Sequence, residues 1–481
     1  MMRSLYSGVS GLRVHQTKMD VIGNNIANVN TVGFKASTVT FSDIFYQTTQ
    51  SATGPNAETG AAGRNPMQIG LGANLSSITT SFTTGGAQRT DNPFDIMISG
   101  DSFFIVKSGG SNYFTKAGSF GIDASGTLST PSGATVMGWQ VDPKDPNKIV
   151  QEEVSELRIM SPENLYAEPE ATTETYISGN IDKNDTQIAP TGTGKVISMS
   201  FYDDLGYAYT AELKVKQTDA ATNKYTVEVS DIRNKDGDSI FVKKDGNGDY
   251  VSSGIKSFSF GGVNYAIDDA NIDKATGKVT MPTVTNAPIM EFDGGTGEFK
   301  GIGAAGSTAK SLKFKVGAGG TEDPFKEINV DFSSVTMFAT SGSSPLEATR
   351  GSLDKQGAGK KVGNMTGVSI DGSGKIYGKY DNGDSRLLGQ IAVADFSNPA
   401  GLEAVGNSMF ASTQNSGDFD GVGKDISVGG GGFTSGVLEM SNVDLSAQFT
   451  DMITTQRGFQ ANSRIITTSD TLLEELINLK R

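Results

Sequence analysis

The sequence predicts a mixed, mainly β fold: nested β domains of sandwich or barrel type, with paired coiled-coil helices formed by the two ends of the chain. Three observations predict it. Apolar residues recur every seven positions near the N-terminus and again near the C-terminus. Between these ends the pattern switches to strict alternation. Glycine supplies 61 of 481 residues, nearly twice the usual share, which marks a chain rich in turns and short strands.

The first helix is read from Leu5, Leu12, Met19 and Ile26, with Val9, Ile22 and Val29 beside them. That spacing makes one apolar stripe of the kind that packs on another helix. It breaks at Asn30, Thr31 and Gly33, which suit a helix C-terminus. Between Met19 and Phe34 only Asp20 is charged, while Asn24, Asn25, Asn28 and small residues fill the other faces. A solvated helix normally carries many charges, so this one reads as covered on several sides by something uncharged.

Residues 36–75 are rich in Ser, Thr, Gly and Asn, with Phe41, Ile44, Phe45 and Tyr46 as an apolar anchor. They read as an extended linker that packs on something, since a free linker has no use for those aromatics. From 76 to 150 short apolar runs such as Ser102–Val106 are bounded by Gly and Asn, as strands are.

Residues 151–359 alternate cleanly. Tyr209, Ala211, Leu213 and Val215 face one way and Thr210, Glu212, Lys214 and Lys216 the other; Leu312, Phe314 and Val316, then Ile328, Val330 and Phe332, repeat the pattern. Period two with charged outer faces predicts antiparallel sheets with one side in water. Asp236-Gly237, Asp245-Gly246, Asn247-Gly248 and Asp293-Gly294 supply hairpin turns. The block reads as one outer β domain or two subdomains. Phe120–Leu128 and Val368–Ile376 share an Ile-Asp-x-Ser-Gly centre and flank this block. The simplest account joins 76–150 and 360–436 into one β domain with 151–359 inserted; a chance likeness of Gly-rich hairpins is the alternative.

The last stretch mirrors the first. Leu445, Met452, Phe459, Ile466 and Leu473 recur by seven, with Phe449, Leu476 and Ile477 beside them and Asp444 placed as an N-cap. Only Asp451 and Arg457 are charged between Leu445 and Ser463. Helices over 1–35 and 437–481 can pair, making everything between them an excursion outward. Two ordinary amphipathic helices of one globular core fit the same spacing.

Several function classes fall away. A formal charge of −14 without a Lys/Arg cluster argues against nucleic acid. No apolar run reaches the roughly 18 residues of a membrane span. The N-terminus lacks the apolar core of a secretory signal, which predicts a cytoplasmic protein or export without a cleaved signal. There is no Cys and a single His, His15, which removes disulfides, thiolate metal sites and most His-based catalysis.

The remaining motifs carry no chemistry. Gly301–Gly306 matches a G-x-G-x-x-G pattern but leads into a strand-like stretch rather than a helix. Pro190–Lys195 has Ala189 and Val196 where a phosphate loop needs Gly and Ser/Thr. Asp245–Asp249 begins like a calcium loop, yet Tyr250 and Lys256 stand where Gly and Glu belong. Hairpin turns explain it, with a weak surface calcium site at Asp245 and Asp249 left open. No catalytic residue, metal ligand or cofactor is expected.

The ends carry a resemblance. Gly23–Lys35, with Asn24, Asn25, Ile26, Asn28, Asn30, Gly33 and Phe34, resembles the N-terminal signature of bacterial flagellar axial proteins, the rod, hook and hook-associated subunits. Leu438–Leu445 and Gln456–Arg464, which includes Phe459 and Asn462, are similar to that family's C-terminal motif. Leu388–Phe396, Gly401–Asn407 and Ser200–Gly206 are similar to hook proteins, and the size of the insert favours hook over the shorter rod members.

The resemblance implies a structural subunit that polymerises helically with itself into a short curved tube around an export channel. It implies a location outside the cell and export without a cleaved signal. Its partners would be a distal rod protein, a hook-capping protein, a hook–filament junction protein and the flagellar export apparatus. Self-assembly is then expected at Leu5, Leu12, Met19, Ile22, Asn24, Asn25, Ile26, Asn28, Val29, Asn30, Gly33 and Phe34, and at Leu445, Phe449, Met452, Gln456, Phe459, Asn462, Arg464, Ile466 and Leu473. A distal rod or junction protein is the alternative within the class; a secreted β-rich adhesin is the alternative outside it.

Overall fold

The helix-forming ends and the alternating middle both appear in the computed structural model, which describes residues 2–479 apart from 56–59, 61, 143, 220–221, 247, 283, 285 and 318–323. Helix α1 spans Met2–Ala27 and helix α2 spans Leu445–Asn478. Asp444 caps α2 as expected, its Oδ1 accepting from Ser446 N at 2.9 Å and Ala447 N at 3.2 Å. Neither helix is long and apolar enough to cross a membrane, nor is any other among the described residues.

The chain divides into two compact units. One comprises Met1–Leu165, Thr366–Lys379 and Ser385–Arg481; the other comprises Tyr166–Met365 and Tyr380–Asp384.

In the first unit, strands lie in the order Lys375–Tyr380, Ser385–Ile391, Thr135–Asp142, Phe103–Ser108, Ser111–Thr115, Met409–Ala411 and Glu403–Gly406. The continuous apolar run at Phe103–Val106 is buried on both faces. Phe103 and Ile105 join Phe114, Met137, Trp139 and Phe410 on one side; Phe104 meets Phe120 and Phe433 on the other. Trp139 Nε1 donates to Glu152 O and Val422 O, both at 3.0 Å, so the one indole is buried without an orphaned donor. The two Ile-Asp-x-Ser-Gly stretches fold alike. Asp123 Oδ1 accepts from Ser125 N and Thr127 N, and Asp371 Oδ1 accepts from Ser373 N and Lys375 N.

Residues 36–75, expected as an extended linker, instead carry two antiparallel ladders, Ser37–Asp43 with Ala73–Thr80 and Tyr46–Gln50 with Met67–Gly70. Their Ser/Thr content is cross-strand hydroxyl pairing: Thr38 Oγ1 lies 3.2 Å from Thr79 Oγ1 and Thr40 Oγ1 2.7 Å from Ser77 Oγ. Linker-like composition and hydroxyl-paired strands look the same in sequence. Phe45, at 73% exposed, and Tyr46 stand bare on this arm.

Two larger sheets build the second unit among the described residues. Val263–Ala266, Ser257–Phe260, Ser311–Val316, Ile328–Thr336, Glu174–Asn180 and Leu346–Arg350 form one; Lys195–Tyr202, Ala208–Gln217, Lys224–Asn234, Ile289–Phe292 and Phe299–Gly303 form the other. Their alternating apolar faces supply one core that includes Leu213, Val215, Phe314, Val330 and Phe332. Neither sheet closes on itself, so this is no barrel. Antiparallel pairing was expected throughout, but Glu174–Asn180 and Ile328–Thr336 run parallel. Burial pattern reports which face is inward and is silent on the direction of the neighbour. Gly301–Gly306 leaves strand Phe299–Gly303 for a turn into Ser311–Val316, so no helix opens there. Asp245-Gly246 turns between Val242–Lys244 and Tyr250–Ser252, while Asn247 lies outside the described residues.

Candidate functional site, the paired terminal helices

α1 and α2 pack antiparallel. Ser4 Oγ lies 3.4 Å from Ser469 Oγ, Lys18 Nζ lies 3.3 Å from Asp451 Oδ1, and Asn25 Nδ2 donates to Gln448 Oε1 at 3.2 Å. The seam on α1 therefore runs Ser4, Gly8, Gly11, His15, Lys18, Ile22 and Asn25, in steps of four and three. On α2 it runs Gln448, Asp451, Thr455, Gly458, Asn462, Ile465 and Ser469. This is a coiled-coil spacing built from small and polar residues.

Glycines set the closeness of approach. A Cβ on Gly11 would sit 2.6 Å from Asn462 Nδ2, and one on Gly458 would sit 2.7 Å from His15 Cε1 and Nε2. A Cβ on Gly8 would sit 3.2 Å from Ile466 Cγ1. Asn462 stays satisfied through Nδ2 to Gly458 O at 3.0 Å. His15 Nδ1 is buried without a partner; desolvation first and the Lys18 charge second hold its pKa below the ordinary value.

The apolar stripes lie one position aside from this seam. Leu5, Leu12, Met19 and Ile26 on α1, and Met452, Phe459, Ile466 and Leu473 on α2, are all half-buried. The antiparallel register sets Leu12 level with Phe459 and Met19 level with Met452, along one flank of the pair. Leu445 and Phe449 are exposed. The stripes were expected to be the seam itself. Of the stripe, Ile466 reaches the seam, its Cγ1 packing on Gly8; elsewhere the glycines admit other groups, Gly11 facing the Asn462 amide and Gly458 the His15 ring. Ile22 alone of the expected apolar residues is in the seam and buried.

The polar members of the set divide by role. Asn25 is buried, donating to Ser37 O at 2.8 Å and accepting from Ser37 N at 3.0 Å, which ties α1 to the first arm strand. Asn28 Nδ2 donates to Asn24 O at 2.9 Å and its Oδ1 accepts from Thr31 Oγ1 at 3.1 Å, closing the end of α1. Val29 and Phe34 are half-buried, while Asn24, Asn30, Gln456 and Arg464 are exposed. Gly33, at φ +68°, donates its N–H to Glu439 O at 2.8 Å.

Glu439 belongs to a buried charge cluster that residue patterns did not single out. Lys35 Nζ lies 2.7 Å from Glu439 Oε1 and also donates to Thr83 O at 2.8 Å. Glu439 Oε1 further accepts from Gly85 N at 2.9 Å, and its Oε2 has no partner. Lys116, fully buried, donates to Gly100 O at 2.7 Å over the Phe103 ring. Burial pushes its pKa down to about 8, against the pull of Glu439. Lys35 and Glu439 both sit inside the end signatures, but nothing in their spacing reveals that they meet. The seam glycines were legible in principle, as a second four-and-three pattern offset from the apolar one.

Nothing in this arrangement is a catalytic constellation: it is a pair of helices with a tight polar seam, an apolar flank left half-open and a buried charge lock at its root. Comparison with known proteins finds family matches at both ends of the chain and in its first β-rich stretch. Residues 5–35 match the model described as flagella basal body rod protein, residues 97–195 the flagellar hook protein FlgE/F/G D1 domain, and residues 434–479 the flagellar basal body rod FlgEFG protein C-terminal. A flagellar hook protein FlgE of Borreliella burgdorferi is 36% identical over 100% of both chains, and one of Treponema pallidum 34% over 100% of both. A flagellar basal-body rod protein FlgG of Bacillus subtilis also aligns over 100% of both chains, at 27% identity. Length alone therefore does not separate hook from rod, as the insert size had suggested; the hook relatives at 36% and 34% identity stand above this rod relative at 27%. On this evidence the chain belongs to the flagellar hook protein family of the bacterial flagellum.

Proposed function

We propose that copies of this hook subunit stack helically into a short curved tube, with the paired terminal helices innermost around an export channel and the β units outside. The tube carries torque from rod to filament, and the chain is structural rather than enzymatic. Its partners are itself, a distal rod protein below, a junction protein above, a capping protein during growth and the export apparatus that delivers it outside the cell. In this layout the terminal helices form the inner core, 76–150 and 360–436 a shared β domain, and 151–359 the outer one.

The observation that carries the reading is the half-open apolar flank. Pairing within the chain uses Gly8, Gly11 and Gly458, and leaves Leu5, Leu12, Met19, Ile26, Leu445, Met452, Phe459, Ile466 and Leu473 only partly covered. Water-exposed apolar surface of that length, with few charges around it, favours burial against further helices. The same chain supplies those helices when copies stack.

The test is electron microscopy of the concentrated full-length protein under salting-out conditions. Curved tubes are expected. The full-length alignment with a rod protein supports a second reading, and straight tubes would favour it. Failure to form any tube across the salt series would remove the polymer reading.

A further inference from the structure

The seam of α2 does not stop where its partner does. Ser4 is level with Ser469, and the same four-and-three spacing continues on α2 through Leu472, Leu476 and Leu479. Among the described residues no part of α1 lies level with Leu476 or Leu479, which are 49% and 82% exposed. Ile477 stands bare beside them. Among the described residues these leucines continue the seam spacing with their side chains open to solvent.

At the other end of the helix pair lies a cavity of about 400 Å³. Its apolar lining is Phe34, Ala404, Met409 and Phe410, and Asn24 from the last turn of α1 and Asn28 just beyond the helix contribute amides. No carboxylate lines it, so Glu474 and Glu475 between the bare leucines meet amide groups rather than like charge. The strand that frames it, Glu403–Gly406, is exposed along its whole length and ends the sheet.

We propose that the bare turns of α2 around Leu476 seat in this cavity of a second copy of the chain. The occupant is a second copy because the two surfaces are unlike and lie at opposite ends of one helix pair. A contact of that kind is heterologous, so it propagates from copy to copy without closing on itself, as a tube requires. Seating there also takes the exposed leucine side chains out of water against Phe34, Met409 and Phe410. The inference rests on the hook reading and deepens it by naming which surfaces meet along the stack.

The chain contains no cysteine, so introduced thiols report one contact without background. Leu476→Cys chains and Ala404→Cys chains are co-assembled with the parent chain, which keeps the tubes intact, and then mildly oxidised. A disulfide-linked dimer is expected only when both variants are present. Well-formed tubes that give no dimer, or that give as much dimer with either variant alone, overturn the contact and leave the hook reading standing. A parent chain that makes no tubes overturns both.

Discussion

Lys35 Nζ and Glu439 Oε1 lie 2.7 Å apart with both side chains 1% exposed, so the segment after α1 and the segment before α2 share one buried ion pair across most of the chain. Gly85 N and Thr83 O, from the strand-rich region that follows the arm, complete it. The lock therefore fixes where both helices leave the first β unit.

Breaking one side of that lock leaves a charge in a dry site. Glu439→Gln, which strands both Lys35 and Lys116, is expected to cost about 3–5 kcal/mol. Lys35→Met should cost less, because Lys116 remains near Glu439. The double variant Lys35→Met/Glu439→Met should recover most of the loss. Urea unfolding followed by the fluorescence of Trp139, the one indole and part of the first unit's core, measures all three. Additive losses in the double variant would contradict the lock.

Gly33 is the backbone counterpart. At φ +68° a Cβ there would lie 2.6 Å from Ala117 N, a backbone atom that cannot move aside cheaply. Gly33→Ala should lose about 2 kcal/mol or more in the same unfolding assay, from left-handed strain plus the clash.

His15 makes the helix pair acid-sensitive. Its folded-state pKa is depressed below 6.5 by burial and by Lys18, while Asp451 on the facing helix is engaged by Lys18. On acidification the unfolded chain takes up the proton first, at about pH 6.5. The stability contribution of neutral His15 is therefore present above that value and declines as pH falls below it. Thermal melting of the helical signal should weaken between pH 7.5 and pH 5, and His15→Gln should flatten that dependence. An unchanged slope in the variant would assign the acid sensitivity elsewhere.

Ile26 and Phe459 lie on the apolar flank, outside the in-chain seam. Ile26→Asp and Phe459→Asp should each abolish tube formation by placing a charge against the next copy's helices, with the Trp139 unfolding midpoint unchanged. A shifted midpoint would mean that these residues hold the subunit itself together.

Local physics made much of this molecule legible from its residues alone. Heptad spacing marked both helices, Asp444 marked the start of α2, and alternation at Tyr209–Val215 and Leu312–Val316 marked the inward faces of strands. These follow from the period of a single element, which the residues within it determine. The resemblance carried by Gly23–Lys35 and Gln456–Arg464 named the family for the same reason, being contiguous.

Only the tertiary structure decided what depends on two separate segments. Which face of α1 meets α2 turned on Gly8 and Gly11 admitting Ile466 and Asn462, and on Gly458 admitting His15, so the tight, largely polar seam won over the more conspicuous leucine stripe. The hydroxyl ladder of Thr38 with Thr79 and Thr40 with Ser77 hid as linker composition, because a strand's partner is absent from its own sequence. The parallel pairing of Glu174–Asn180 with Ile328–Thr336, and the meeting of Lys35 with Glu439, were invisible on the same ground. An element's period says which side it buries; what lies against that side is set by packing between distant parts of the chain.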